Sequence, residues 1–295
     1  MKSILISGIT GFIGQNLRKY LDENNYEVKR INRNEDLWAG NVNIIIHLAG
    51  KAHDLKSISD PQEYYSANTE LSKKIFDMFL VSNAKTFIML SSVKAVADNI
   101  EEVLTEDFIA NPLTHYGKSK RLAEEYILSN LPKNKRVYIL RPCMVHGEGN
   151  KGNLTLLYDF VKKGIPYPLG AFDNKRSFLS VENLCFVIKE LIERSDVPSG
   201  IYHLADDEPV ATKDLIKVIS NVTNKKILIW KIPKFIINFI AKIGDYVPLP
   251  LNTERVIKMT ENYVVSNQKI KSALCKNLPI SSEDGLRRTI ESFSK

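Results

Sequence analysis

The chain is poor in the features that mark disulfide-stapled, membrane-spanning or nucleic-acid-threading proteins. It has three cysteines in 295 residues, Cys143, Cys185 and Cys275. They are odd in number and far apart, so neither a disulfide framework nor a zinc or other metal site follows from them, and a reducing, cytoplasmic setting is the simplest expectation. Long apolar runs are missing too. Gly8 and Gly11 interrupt the run that starts at Ile4 before a signal-peptide core or a membrane span could be completed. Phe235 to Ile243 is too short to span and is flanked by Lys234 and Lys242, so it reads as a buried or lobe-capping amphipathic helix in preference to a peripheral membrane anchor. No transmembrane segment is expected. There is no internal repeat and no low-complexity tract. The formal charge is +7, yet the lysines are scattered and no compact basic run has interleaved aromatics, so nucleic acid is not an expected partner. The charge suits an anionic ligand, an anionic membrane surface or simply a lysine-rich proteome.

What is present is enough apolar sequence for a core: 44% hydrophobic against 25% charged residues, in a length that fits one large domain or two unequal ones. The first half alternates short β-rich runs with helical patterns, the signature of βαβ units. Strands are expected at Ser3 to Ser7, Tyr26 to Ile31, Asn43 to Leu48, Thr86 to Leu90 and Arg136 to Leu140, and helices at Phe12 to Asn24, Pro61 to Val81 and Tyr116 to Asn130. The strands are apolar nearly throughout, as in a parallel sheet covered on both faces. The expected fold is α/β, a Rossmann-type doubly wound parallel sheet over 1–150 with a smaller C-terminal substrate-binding lobe over 151–295. Glycines and prolines crowd Gly147 to Gly170, and the sheet is expected to end near Pro142, although the chain has room to cross back. Helices are expected at Asn153 to Lys163, Glu182 to Arg194 and Thr212 to Val222, with a strand near Gly200 to Leu204.

Gly8-Ile9-Thr10-Gly11-Phe12-Ile13-Gly14 follows the first strand and opens the first helix. In that context the glycines let the backbone approach a pyrophosphate, whose charge the helix N-terminus favours, and Gly14 lets the helix pack close to the sheet. An acid about two dozen residues later would accept hydrogen bonds from a ribose 2'-hydroxyl. Here the strand ends Arg30-Ile31-Asn32-Arg33, and Arg33, helped by Arg30, could instead pair with a 2'-phosphate. NADPH is therefore the favoured cofactor, with NAD as the alternative.

Tyr116-Gly117-Lys118-Ser119-Lys120 opens a helix, so Tyr116 and Lys120 share one face. A phenol near its reference pKa of roughly 10 is a poor acid–base group at neutral pH, and a nearby ammonium makes its phenolate easier to form. Ser92, at the carboxyl end of the Thr86 to Leu90 strand, would hydrogen-bond a substrate oxygen beside Tyr116. Lys94, two residues on, either turns toward the substrate, to pair with a diphosphate or a sugar oxygen, or is merely solvated.

Together these residues resemble the extended short-chain dehydrogenase/reductase family. The likeness rests on the glycine turn, His47-Leu48-Ala49-Gly50, Ser91-Ser92, Tyr116 with Lys120, and Arg141-Pro142. The resemblance implies NAD(P) on the Rossmann domain, touched by Gly8, Gly11, Phe12, Ile13, Gly14, Leu48, Ala49 and Gly50 as well as Tyr116 and Lys120. It further implies Ser92, Tyr116 and Lys120 as catalytic residues and a UDP-sugar in the C-terminal lobe. Ser91-Ser92-Val93-Lys94, Gly152-Asn153-Leu154 and Asn174-Lys175-Arg176-Ser177-Phe178 look like the branch of bacterial polysaccharide loci that reduces or epimerises C4 of UDP-N-acetylhexosamines, in which the Asn153 and Arg176 positions contact the diphosphate. Two departures stand out. Only nine residues separate Arg33 from Asn43, too few for the usual strand and helix, and Ala95-Val96-Ala97 replaces the family's usual Val-Tyr-Gly. The leading expectation is NADPH-dependent reduction of a C4 ketone on a UDP-4-keto-6-deoxy-N-acetylhexosamine. The alternative is a UDP-N-acetylhexosamine 4-epimerase with tightly held NAD, and a nonenzymatic dinucleotide sensor is remote. A homodimer is left open.

Overall fold

The computed structural model describes residues 2–31, 41–52, 60–150, 152–247 and 251–294. Its order begins β1 (Ser3–Ser7), α1 (Phe12–Glu23), β2 (Glu27–Arg30) and β3 (Ile44–His47), then α2 (Pro61–Tyr64), a π-helical turn (Tyr65–Glu70) and α3 (Leu71–Val81). It continues with β4 (Thr86–Leu90), a 3-10 turn (Val93–Ala95), α4 (His115–Ser129), β5 (Arg136–Pro142), β6 (Met144–His146), α5 (Asn153–Lys162), β7 (Phe178–Ser180), α6 (Val181–Glu193) and β8 (Gly200–Leu204). Helices α7 (Thr212–Thr223), α8 (Lys234–Gly244), α9 (Thr253–Thr260), α10 (Gln268–Leu274) and α11 (Ser282–Ser292) complete it.

Six strands form one parallel sheet in the order β2-β1-β3-β4-β5-β8. Because side chains alternate along a strand, each strand feeds two cores. Ile4, Ile6, Ile44, Ile46, Ile88 and Leu90 face α1 and α6, while Leu5, Ile45, Phe87 and Met89 face α3 and α4. This is the doubly wound α/β arrangement expected of apolar strands. The chain leaves β1 for β2 on one side and returns to β3 on the other, so the crevice at the carboxyl ends of β1 and β3 is a topological switch point.

The sheet does not end near Pro142. After the excursion through the glycine-rich segment, β8 returns as the sixth strand, pairing Tyr138 with Gly200 through Pro142 with Leu204. The reason lies in α6, which buries Leu184, Val187, Ile188 and Leu191 against the sheet and carries the chain back to its edge. The remaining lobe has its own core, in which Tyr158, Tyr167, Ile216, Ile237 and Leu286 meet. The Pro61 to Val81 helix is also not uniform, since the π-helical turn splits it.

One contact fixes α4 to the sheet. Glu124, with no solvent exposure, accepts two hydrogen bonds from Arg141 of β5, at 2.9 and 2.6 Å, and one from the Ser91 hydroxyl at 2.5 Å. Arg141, 2% exposed, faces Nε2 of His203 at 3.5 Å. Burial and the Arg141 charge push that imidazole down to about 4, so it stays neutral there. A buried pair adds little over an apolar one, but removing one partner strands the other. Glu124→Ala is therefore expected to cost about 3–5 kcal/mol of unfolding free energy, read by urea titration, whereas a loss below about 1 kcal/mol would mean the pair does not hold α4.

Candidate active site

The glycine turn sits at the switch point. Gly8 has φ +74°, and a Cβ there would lie 2.5 Å from the Ala49 nitrogen, so the turn after β1 and the loop after β3 touch through a residue that must be glycine. A Cβ on Gly14 would meet the Gly8 carbonyl at 2.3 Å, which is the close helix-to-turn packing expected of it. Phe12 and Ile13 open α1 and pack partly buried against the core, as does Leu48. Gly11 is the residue before α1, its nitrogen donating to the Gly8 carbonyl at 3.1 Å. Asn32 and Arg33 lie outside the described residues, as does the side chain of Asn153.

Beneath this cradle runs a relay that the sequence did not reveal. His47 Nδ1 hydrogen-bonds Ser7 at 2.6 Å and its Nε2 hydrogen-bonds Ser72 at 2.8 Å. Burial, reinforced by the Lys120 charge, pulls His47 down to about 3 and keeps it neutral. The loop after β3 is then tied to α4 by Asn68, on the π-helical turn. Its Oδ1 accepts from the Lys51 nitrogen at 2.8 Å and its Nδ2 donates to Ser119 Oγ at 3.0 Å. Asn68 is fully buried, which nothing in the polar run around it announces, and π-turns are often found at functional sites.

Ser92, Tyr116 and Lys120 converge at the carboxyl end of β4. Ser92 is hydrogen-bonded to Tyr116, which lowers the phenol's pKa while burial pushes it up by more. The Tyr116 ring stands edge-on to Tyr64, centroids 6.2 Å apart. Lys120 Nζ donates to the Leu90 carbonyl at 3.0 Å, and a Cβ on Gly50 would be 3.0 Å from that nitrogen, so the ammonium lies against the loop after β3. Burial brings Lys120 down to about 8, partly countered by Glu124. Among the described residues no three His, Cys, Asp or Glu side chains converge as a metal site.

Lys94 sits beside this group but is held by the protein. Its ammonium donates to the Asp98 carbonyl at 2.6 Å and lies 4.1 Å from the centre of the Tyr263 ring. The Asp98 carboxylate in turn accepts from the Leu113 nitrogen at 2.7 Å and from Thr114, the residue that caps α4. A Cβ on Gly117 would meet the Lys94 carbonyl at 2.3 Å. The turn bearing Ser92 and the helix bearing Tyr116 are thus locked in register. Arg176 pairs with Glu261 at 3.3 Å and donates to the Lys258 carbonyl at 2.7 Å, close enough to Lys94 for the two cations to influence each other. A separate cavity of about 440 Å³ lies beside the glycine turn, lined by Thr10, Arg18 and Arg30 among others.

With this geometry in hand, comparison with known proteins gives the family. Residues 4–205 match the NAD dependent epimerase/dehydratase family, and the chain belongs to it. It is 29% identical to a UDP-glucose 4-epimerase of Vibrio cholerae over 99% of this chain and 95% of that one. It is 25% identical to an N-acetyl-alpha-D-glucosaminyl-diphospho-ditrans,octacis-undecaprenol 4-epimerase of Escherichia coli O157:H7, over 76% of this chain and 73% of that one. The fold resembles that of UDP-N-acetylglucosamine 4-epimerase from Bacillus cereus, with a TM-score of 0.79 at 17% identity and full coverage of both chains. It also resembles RMD from Pseudomonas aeruginosa, solved with NADPH, with a TM-score of 0.76 at 19% identity, again over both whole chains.

Tyr116→Phe is expected to fold and bind cofactor but to lower turnover by about two to four orders of magnitude, the usual contribution of one positioned acid–base group. Near-normal turnover would remove Tyr116 from that role. The depressed Lys120 also has a thermodynamic consequence. The folded chain releases this proton near pH 8, while the unfolded chain holds it to 10.5, so this group's contribution to stability is complete above the upper value and is lost as pH falls through the lower one. Over that window Lys120→Met should have a flatter dependence of unfolding free energy on pH than the parent. Parallel curves would mean that Lys120 ionises normally.

Proposed function

We propose that the chain is a UDP-N-acetylhexosamine 4-epimerase using a nicotinamide dinucleotide. The observation that carries the chemistry is the convergence of Ser92, Tyr116 and Lys120 on one edge of the sheet, next to the Gly8 and Ala49 contact. A turn that admits no Cβ at Gly8 or Gly14, at a switch point and a helix N-terminus, fits a pyrophosphate. The dinucleotide held there would supply hydride acceptance and return at C4. Tyr116 would exchange a proton with the C4 oxygen, Ser92 would hold that oxygen, and Lys120 would make the phenolate accessible. Lys94 and Arg176 are the cations proposed to meet the substrate diphosphate, with Arg176 turning away from Glu261 to do so.

The epimerase reading replaces C4 reduction as the leading one, supported by the relative that matches 99% of the chain being a 4-epimerase. The reductase remains the second reading because one feature favours it. The segment that follows β2, Ile31-Asn32-Arg33, has no acid for a ribose 2'-hydroxyl, and the cavity beside the glycine turn sets Arg18, Lys19 and Arg30 against Asp22 and Glu23, a basic excess of one that favours a 2'-phosphate.

The test is incubation of the purified protein with UDP-N-acetylglucosamine or UDP-N-acetylgalactosamine, with catalytic NAD and no reductant. Interconversion is expected, and Arg176→Ala should raise KM with little change in kcat, as for a contact made equally in ground and transition states. No interconversion, together with NADPH oxidation on a 4-keto sugar nucleotide, would overturn the epimerase in favour of the reductase.

A further inference from the structure

The expectation for Phe235 to Ile243 was a helix that caps the lobe with a buried apolar face. The structure satisfies only part of it. On α8, Ile237 and Ala241 are buried in the lobe core, but Phe235 and Phe239 are 73% and 65% exposed, and Ile236, Ile240 and Ile243 are also open to solvent. In the connections on either side, Trp230 is half exposed and Tyr246 is 92% exposed. At 100° per residue, Phe235, Phe239 and Ile243 fall on one arc with Tyr246 continuing it, so the outward face of this surface helix is apolar where a solvated helix would be polar. Contiguous exposed patches of this kind mark interaction sites.

The charge around the face selects the occupant. From Lys225 to Gly244 there are five lysines, at 225, 226, 231, 234 and 242, and no acid until Asp245, while Asp173, whose carboxylate lies near Lys231 and Lys234, is paired with Lys213. All five are exposed. A second copy seated on the same face would bring two sets of lysines together in a two-fold contact, which like charge opposes. An anionic bilayer surface instead pairs with them, while Trp, Tyr and Phe are the side chains that settle at the headgroup boundary. The helix, at 11 residues, is suited to lying in that boundary and too short to cross it.

We propose that the α8 face docks the protein peripherally on an anionic membrane surface, with the phenylalanines and Trp230 entering the headgroup boundary and the lysines meeting lipid phosphates. Attachment is reversible and weakens with salt, since screening removes the lysine contribution and leaves the apolar one. The assignment does not depend on which sugar the active site accepts, because α8 contributes no residue to the catalytic group.

Flotation of the full chain with phosphatidylcholine vesicles and with vesicles containing phosphatidylglycerol tests it. The expected result is binding to the anionic vesicles at low salt, weaker binding to the neutral ones, and a loss of about tenfold or more in Phe235→Ser/Phe239→Ser and in Lys231→Glu/Lys234→Glu, the order expected when desolvated aromatics or several lipid-facing lysines are removed. Both substitutions are at exposed sites, and an unchanged melting curve would show that each variant folds. Absence of binding to either vesicle overturns the proposal. So does unaltered binding by both folded variants, or a parent dimer in sedimentation that Phe235→Ser/Phe239→Ser converts to monomer without any vesicle binding.

Discussion

The candidate active edge of this molecule depends on one buried charge pair. Tyr116, Lys120 and Glu124 recur every four residues on α4, so whatever fixes Glu124 fixes the other two. Arg141 from β5 and the Ser91 hydroxyl hold it from two directions. Ser91 is also the neighbour of Ser92, so a single carboxylate sets the helix bearing the phenol against the strand end bearing the serine. Burying the pair is costly, and an apolar substitute would pack as well. Its return is position: the phenol and the serine hydroxyl meet because the helix cannot slide along the sheet.

A second set of contacts closes the same gap from the solvent side. The Lys94 ammonium on the Asp98 carbonyl, the Asp98 carboxylate on the Thr114 cap, and the near-contact of Gly117 with the Lys94 carbonyl stop the turn after β4 from drifting off the start of α4. On the cofactor side Asn68 does the equivalent work between the β3 loop and Ser119. The turn after β4, the loop after β3 and the start of α4 are thus tied together around a crevice that the sheet topology opens. For the proposed proton transfer by Tyr116 such fixing matters, since a displacement of about 1 Å can cost orders of magnitude in rate.

Much of this was legible in the sequence because local chemistry dictates it. The glycine turn, the apolar strands and the Tyr116 and Lys120 spacing each follow from backbone sterics or helical period, and the structure places them where those rules require. The doubly wound sheet followed from the alternation of patterns. The return of β8 to the sheet was not legible as such. The Gly147 to Gly170 cluster looked like a boundary, and only the contacts of α6 show that the chain comes back. Glu124 and Asn68 were missed for a related reason: a polar residue on a helix has no sequence signature that separates a solvated position from a buried one. The surroundings of Lys94 were not legible either, because the Tyr263 ring that its ammonium faces is far along the chain.

The most direct measurement of the central claim is a double-mutant cycle on turnover with Glu124→Gln, Arg141→Met and the pair. If the ion pair acts on chemistry by holding α4, each single change should lower kcat, and the combined variant should lose no more than the worse single one, a strong coupling between residues that do not touch the substrate. Losses that simply add, or a kcat unmoved by either change, would mean that Tyr116 and Ser92 keep their register without the pair.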